Sequence, residues 1–242
     1  MRLDVYLCDK GFVSSRTEAK KFIEEGAVKV LGKVISKPAF NVEDSETTVE
    51  VDKSSKKYVS RGGLKLEAAL SAFNLSPEGT YAIDVGASSG GFTDCLLKNG
   101  AKHVIAVDSG TLQLVSSLRN DSRVTSIENY NARYMRPEDF EYIPNFAVMD
   151  VSFISATYII PSLFNCLRAN SHFVCLIKPQ FEVGKANIGK GGIVKNERIR
   201  ESAVSSVIEF AKGIGFEFVD SIVSPIIGGD GNIEYLAHFK KN

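Results

Sequence analysis

A chain of 242 residues has room for one large domain, or for an ordinary domain beside a small one. Its 44% hydrophobic content supports a full core, and its zero net charge leaves no global basic field, so any case for nucleic-acid binding must be local. Four scattered cysteines, none at metal-ligand or redox spacing, read as free thiols of a reducing cytoplasm, and the lack of a signal-peptide run or spanning apolar stretch argues against secretion and against a membrane.

In chain order, Leu3, Tyr6 and Leu7 recur at helical spacing. A second helix is expected to begin near Ser14-Ser15, where Ser15 and Glu18 have the spacing of a capping box. Ala19, Phe22, Ile23 and Ala27 then share one face, while Arg16 and Lys20, four apart, share another with Lys21 beside them. Strands are expected at 28–30, at 34–35 after a Gly32-Lys33 turn, and at 47–51. The polar run 52–57 reads as a linker. Beyond it a helix covers roughly 64–73. Strands then fall near 81–85, 103–107, 124–127, 146–149, 172–177, 216–223 and 234–239. Helices fall near 91–99, 112–119, 156–168 and 196–211. The alternation predicts an α/β fold, a doubly wound, mostly parallel Rossmann-type sheet, preceded by a small α+β unit. The last two strands lack a helix between them, which predicts a hairpin and one antiparallel strand.

The most informative stretch is Ala82-Ile83-Asp84-Val85-Gly86-Ala87-Ser88-Ser89-Gly90-Gly91-Phe92, an apolar strand running into a small-residue turn and a helix. Such a turn lets backbone press against a polar cofactor. A second strand, 103–107, ends on Asp108, an acid suited to the two hydroxyls of a ribose. A dinucleotide site would place glycine where Ser88 stands, because pyrophosphate needs the closest approach there. S-adenosylmethionine has no pyrophosphate and tolerates the looser turn. It is therefore favoured over a dinucleotide and over an empty structural turn. Asp84 would hold its amino group or an ordered water. The expected cofactor contacts are Asp84, Gly86, Ala87, Ser88, Gly90, Gly91, Phe92, Asp108 and Asp150.

Further polar residues sit where strands should end. Lys178 closes the apolar strand 173–177, where partial desolvation would lower its pKa and suit it to act as a base. Read alone, a strand-end lysine is more often a snorkelled surface charge. Asp150 alone could be a helix N-cap and Glu234 an edge-strand charge.

Five segments taken together decide more: Tyr58-Val59-Ser60-Arg61-Gly62-Gly63-Leu64-Lys65-Leu66, the turn Gly86 to Leu96, Asp150-Val151-Ser152-Phe153-Ile154-Ser155, Ile177-Lys178-Pro179-Gln180-Phe181-Glu182, and Gly191-Gly192-Ile193-Val194. In this order, over nearly the whole chain, they resemble the TlyA family of RNA 2′-O-methyltransferases, whose members also carry the name hemolysin A. The resemblance implies an S4-like RNA-binding domain over residues 1–57 and an FtsJ-like methyltransferase domain over 58–242. It implies a catalytic tetrad of Lys65, Asp150, Lys178 and Glu234, RNA contacts at Arg2, Arg16, Lys20 and Arg61, and no metal. It implies S-adenosylmethionine as methyl donor and a cytidine ribose hydroxyl of ribosomal RNA, free or in ribosomal subunits, as acceptor. Ser89, Ser109 and the segment 195–198 depart from the family pattern without touching the tetrad. Lys185, Lys190 and Lys195 either line an RNA channel or belong to a solvated loop. The alternatives are a catalytically silent RNA-binding protein, a membrane-active hemolysin and a dinucleotide oxidoreductase.

Overall fold

The computed structural model describes residues 1–13, 15–24, 26–42, 48–52 and 57–242, apart from the side chain of residue 21. The expected helix start at Ser14, the strand residue Thr47, most of the 52–57 linker and the Lys21 side chain lie outside the described residues.

The first unit packs α1 (Leu3–Asp9) and α2 (Arg16–Glu24) on an antiparallel sheet of β1 (Val28–Val30), β2 (Lys33–Val34) and β3 (Val49–Val51), in the order β2-β1-β3. Leu3, Leu7, Ala19 and Ile23 meet Val28 and Val30 in its core, as the helical spacing predicts. The Ser15 hydroxyl accepts the Glu18 N–H at 3.1 Å, which satisfies one of the orphan amides at the start of α2. The first turn falls one residue earlier than expected. Val30 pairs with Lys33, and Leu31 and Gly32 both take positive φ, the geometry of a two-residue hairpin.

The second unit contains α3 (Gly62–Ala72), β4 (Tyr81–Val85), α4 (Gly91–Lys98), β5 (His103–Val107), α5 (Ser116–Arg119) and β6 (Val124–Ile127). It continues through β7 (Phe146–Met149), α6 (Ile160–Cys166), β8 (Ser171–Ile177), α7 (Pro179–Glu182), α8 (Glu197–Ile214), β9 (Phe216–Val223) and β10 (Tyr235–Lys241). Seven strands form one sheet in the order β6-β5-β4-β7-β8-β10-β9. Only β10 runs against its neighbours, as the helix-free connection predicts. Both faces are covered. Along β8, Phe173, Cys175 and Ile177 enter one core, while Val174 and Leu176 enter the other. This explains why the strands read as continuous apolar runs rather than alternating ones.

Two helices are shorter than their patterns suggest. The expected helix over 112–119 starts only at Ser116, since Leu112 takes a positive φ that no helix continues. The expected 156–168 helix splits into a 3-10 turn (Ala156–Tyr158) and α6, because Pro161 cannot donate to the residue four before it.

Topology places the site. The chain leaves β4 toward β5 on one side and β7 on the other, so the loops after these strands diverge and open a crevice at the carboxyl edge. The antiparallel register brings the far end of the chain to the same edge. Tyr235 pairs with Ile177, so Glu234 and Lys178, each one step beyond that pair, arrive side by side.

Candidate active site

At the end of β4 the backbone turns through Gly86 (φ 84°) into the start of α4. A Cβ at Gly86 would sit 2.3 Å from the Asp150 carbonyl oxygen, so only glycine lets the loops after β4 and β7 meet here. Asp108 staples the turn to β5. Its Oδ2 accepts the Ser88 N–H at 2.7 Å and its Oδ1 the Gly110 N–H at 2.7 Å. Each carboxylate oxygen keeps a further lone pair. Asp84 lies beneath the turn, wholly buried, with Oδ2 accepting the Thr93 hydroxyl at 2.7 Å and Oδ1 unpartnered. Burial pushes its carboxyl up to about 7. Its visible work is to hold α4 under the turn.

Two adjoining cavities open above these strands. The first, about 350 Å³, is bordered by Gly86, Ser88, Asp108, Tyr130, Asn131 and Phe153. The second, about 280 Å³, is bordered by Lys65, Ala87, Gly91, Phe92, Lys178 and Arg61. Gly86, Ser88, Asp150 and Ser152 line both, so they form the partition. The first is within the roughly 300–1,000 Å³ range of small-molecule sites. Of the expected cofactor contacts, Gly86, Ser88, Asp108 and Asp150 border it. Ala87, Gly91 and Phe92 face the second, while Gly90 and Asp84 border neither.

The four tetrad residues come together as two ion pairs. Lys178 Nζ lies 2.6 Å from Asp150 Oδ1 and donates to the Ser152 hydroxyl at 2.7 Å. Lys65, on the first turn of α3, donates to Glu234 Oε2 at 2.5 Å, and both side chains are buried. The expectation that desolvation lowers the Lys178 pKa is corrected here. Burial does pull it down, but Asp150, Glu234 and Asp230 outweigh burial and the net shift is upward. The resting amine therefore holds its proton. Its acidic neighbours come from other strands, so its position at a strand end could not reveal them.

Arg2 and Arg16 flank the buried Asp4 at 2.9 and 3.1 Å, each about half exposed, and Lys20 is exposed on α2. The hydrogen bonds from Arg2 hold the Asp4 carboxyl down at about 2. Arg61 is engaged inside the protein. Its guanidinium donates to the Gly26 carbonyl at 2.6 Å and the Ile227 carbonyl at 3.2 Å. Lys185, Lys190 and Lys195 are exposed, and their loop is tied down by the buried Asn232, which bonds the Val194 N–H and the Gly192 carbonyl.

Sequence reading missed Phe153 as a separate feature. It is 92% exposed at the cavity rim, 5.3 Å from the Phe181 ring, with φ of 64°. A bulky residue held left-handed and exposed beside a site is strain of the kind found where ligands bind. Tyr130 and Asn131 were also missed, although they follow β6 and the carboxyl-edge rule would have drawn attention to them. Among the described residues, no helix is long and apolar enough to cross a membrane.

The FtsJ-like methyltransferase family model matches residues 58–241, and the S4 domain model matches residues 1–47. "Hemolysin A" of Brachyspira hyodysenteriae is 47% identical over 99% of both chains. "16S/23S rRNA (cytidine-2'-O)-methyltransferase TlyA" of Mycobacterium tuberculosis is 42% identical over 97% of this chain and 88% of its own. A solved hemolysin-group structure from Streptococcus thermophilus is 47% identical, covers 100% of this chain and 88% of its own, and superposes with a TM-score of 0.80.

Proposed function

The chain belongs to the FtsJ-like methyltransferases and, among them, to the TlyA family with its amino-terminal S4 domain, and from that premise we propose that it methylates the 2′-hydroxyl of a cytidine ribose in ribosomal RNA. The observation that carries this reading is a pair of lysine–carboxylate ion pairs beside two adjoining cavities, with Lys65 and Lys178 bordering the second cavity and Asp150 lining both. One cavity suits a nucleoside cofactor and the other suits the acceptor.

S-adenosylmethionine supplies, when bound, an electrophilic methyl group on a cationic sulfonium, which a ribose oxygen can take as the sulfur leaves. The residues present fit it. Gly86 admits close approach of backbone, Asp108 has lone pairs left for a ribose, and Ser88 stands where a pyrophosphate would need glycine. Lys178 takes the hydroxyl proton onto Nζ. It must first lose its own proton to solvent, against the hold of Asp150, Glu234 and Asp230, and a rise in pH favours that loss. Asp150 holds the amine toward the partition, and Ser152 accepts a hydrogen bond from it. Lys65 lines the acceptor cavity with its charge balanced by Glu234, since an unpaired buried ammonium would be costly. Most of the rate comes from this positioning. Phe153, exposed at the rim of the first cavity, offers an aromatic face to a base there.

Residues 1–57 dock the RNA through Arg2, Arg16 and Lys20, contacts to phosphate that place it without reading it. The enzyme works in the cytoplasm on ribosomal RNA or its subunits. The test is transfer of labelled methyl to unmodified ribosomal RNA, followed by digestion to nucleosides. Label in 2′-O-methylcytidine supports the proposal, and label confined to bases, or none at all, overturns it. A thermal shift with S-adenosylmethionine and none with NAD is the companion result for the cofactor.

A further inference from the structure

Arg61 was expected to touch RNA, but its guanidinium bridges two parts of the protein. One arm reaches the carbonyl of Gly26, just beyond α2, and the other the carbonyl of Ile227 in the loop between β9 and β10. Gly26 itself takes φ of 69° and packs so tightly on that loop that a Cβ there would meet Gly229 Cα at 3.1 Å.

The same loop ends on Glu234. Arg61 precedes α3 and Lys65 lies one helical turn later, so the two point along one face. Arg61 grips the loop at Ile227 and Lys65 grips it at Glu234. Between these points the loop is stiff. The Ser224 N–H bonds the Glu234 carbonyl at 2.8 Å, and the Gly228 N–H bonds the Asn232 carbonyl at 2.9 Å. Gly228 packs on the Glu234 carboxylate so closely that a Cβ would lie 2.7 Å from Oε1. At the other end, Gly26 closes off the helix that carries Arg16 and Lys20.

We propose that Arg61 is a positioning residue: it makes the amino-terminal unit part of the acceptor-site wall, so that RNA held on α2 sets the Lys65–Glu234 pair through Gly26, Arg61 and the 224–234 loop. The proposal rests on the site being an RNA methyl-transfer site. It gives the amino-terminal unit a role in turnover besides affinity. A guanidinium is needed because its planar fork reaches two carbonyls at once, which a lysine point charge does not.

The test uses the full chain with Arg61→Lys and Gly26→Ala, the second keeping the guanidinium but crowding the contact with a Cβ 3.1 Å from Gly229 Cα and 3.3 Å from Arg61 Nη2. Turnover on ribosomal RNA, RNA affinity and melting temperature are measured together. Both variants are expected to lose about tenfold or more in kcat, the scale of a small misplacement near chemistry, with KM for RNA held within about twofold. A raised KM at unchanged kcat for Arg61→Lys makes Arg61 an RNA contact and overturns the proposal. Loss of kcat in one variant alone, or in neither, also overturns it. A wild-type protein inactive on ribosomal RNA refutes the methyl-transfer reading instead, whatever the variants do.

Discussion

The two lysine–carboxylate pairs of the site are built from the same groups but sit in different surroundings. In Lys65–Glu234 the side chains are 9% and 4% exposed, while in Lys178–Asp150 they are 11% and 22% exposed. Glu234 is closed in behind Lys65, while Asp150 lines both cavities and Lys178 faces the acceptor. The closed pair can only hold its geometry, because neither group can change charge without stranding the other in a dry interior. The open pair can exchange a proton with a substrate. The difference assigns anchoring to the first pair and chemistry to the second.

The largest expected effect breaks the open pair. Lys178→Ala should lower methyl transfer by about 10²–10⁴-fold, the usual contribution of a general base, with S-adenosylmethionine affinity unchanged by calorimetry. Retained activity would remove the distinction between the pairs. Next, Glu234→Gln leaves the Lys65 ammonium buried without a counter-charge. Breaking such a pair costs roughly 3–5 kcal/mol, so chemical denaturation should show a large loss of stability in the methyltransferase unit. The Asp150→Asn variant, at the better solvated pair, should lose much less stability and far more rate.

Smaller effects come from acids outside the pairs. Asp84 is raised from 3.8 to about 7, so the folded state holds a proton that the unfolded state releases. Stability should therefore fall as pH rises from about 4 to about 7 and level off above. Asp84→Asn should flatten that limb in a melting series. Asp4 has the opposite sign. Its lowered pKa gives stability that is full above 3.8 and is lost as pH falls through about 2. The melting temperature of Asp4→Asn should lie below that of wild type near neutral pH and converge with it toward pH 2.

The sequence made the individual residues visible but not their pairing. Strands β4 and β5 were legible because short, mostly apolar stretches ended in an abrupt small or polar turn, and the antiparallel β10 because no helix precedes it. That Glu234 faces Lys65 across 169 positions is set by strand register, which single-strand patterns do not encode. The Lys178 shift was misjudged for the same reason. Burial at a strand end can be read locally, but the carboxylates that reverse its effect arrive from β7 and from the loop before β10. Arg61 was expected to contact RNA, and only tertiary contact reveals the two carbonyls it holds.

The most direct measurement is the pH dependence of single-turnover methyl transfer in wild type and Asp150→Asn. If Lys178 is the base and its neighbouring acids hold its proton, the wild-type rate rises with pH. The rising limb then moves to lower pH in Asp150→Asn, even though that variant is slower overall. A limb that stays in place when the Asp150 charge is removed would contradict the account.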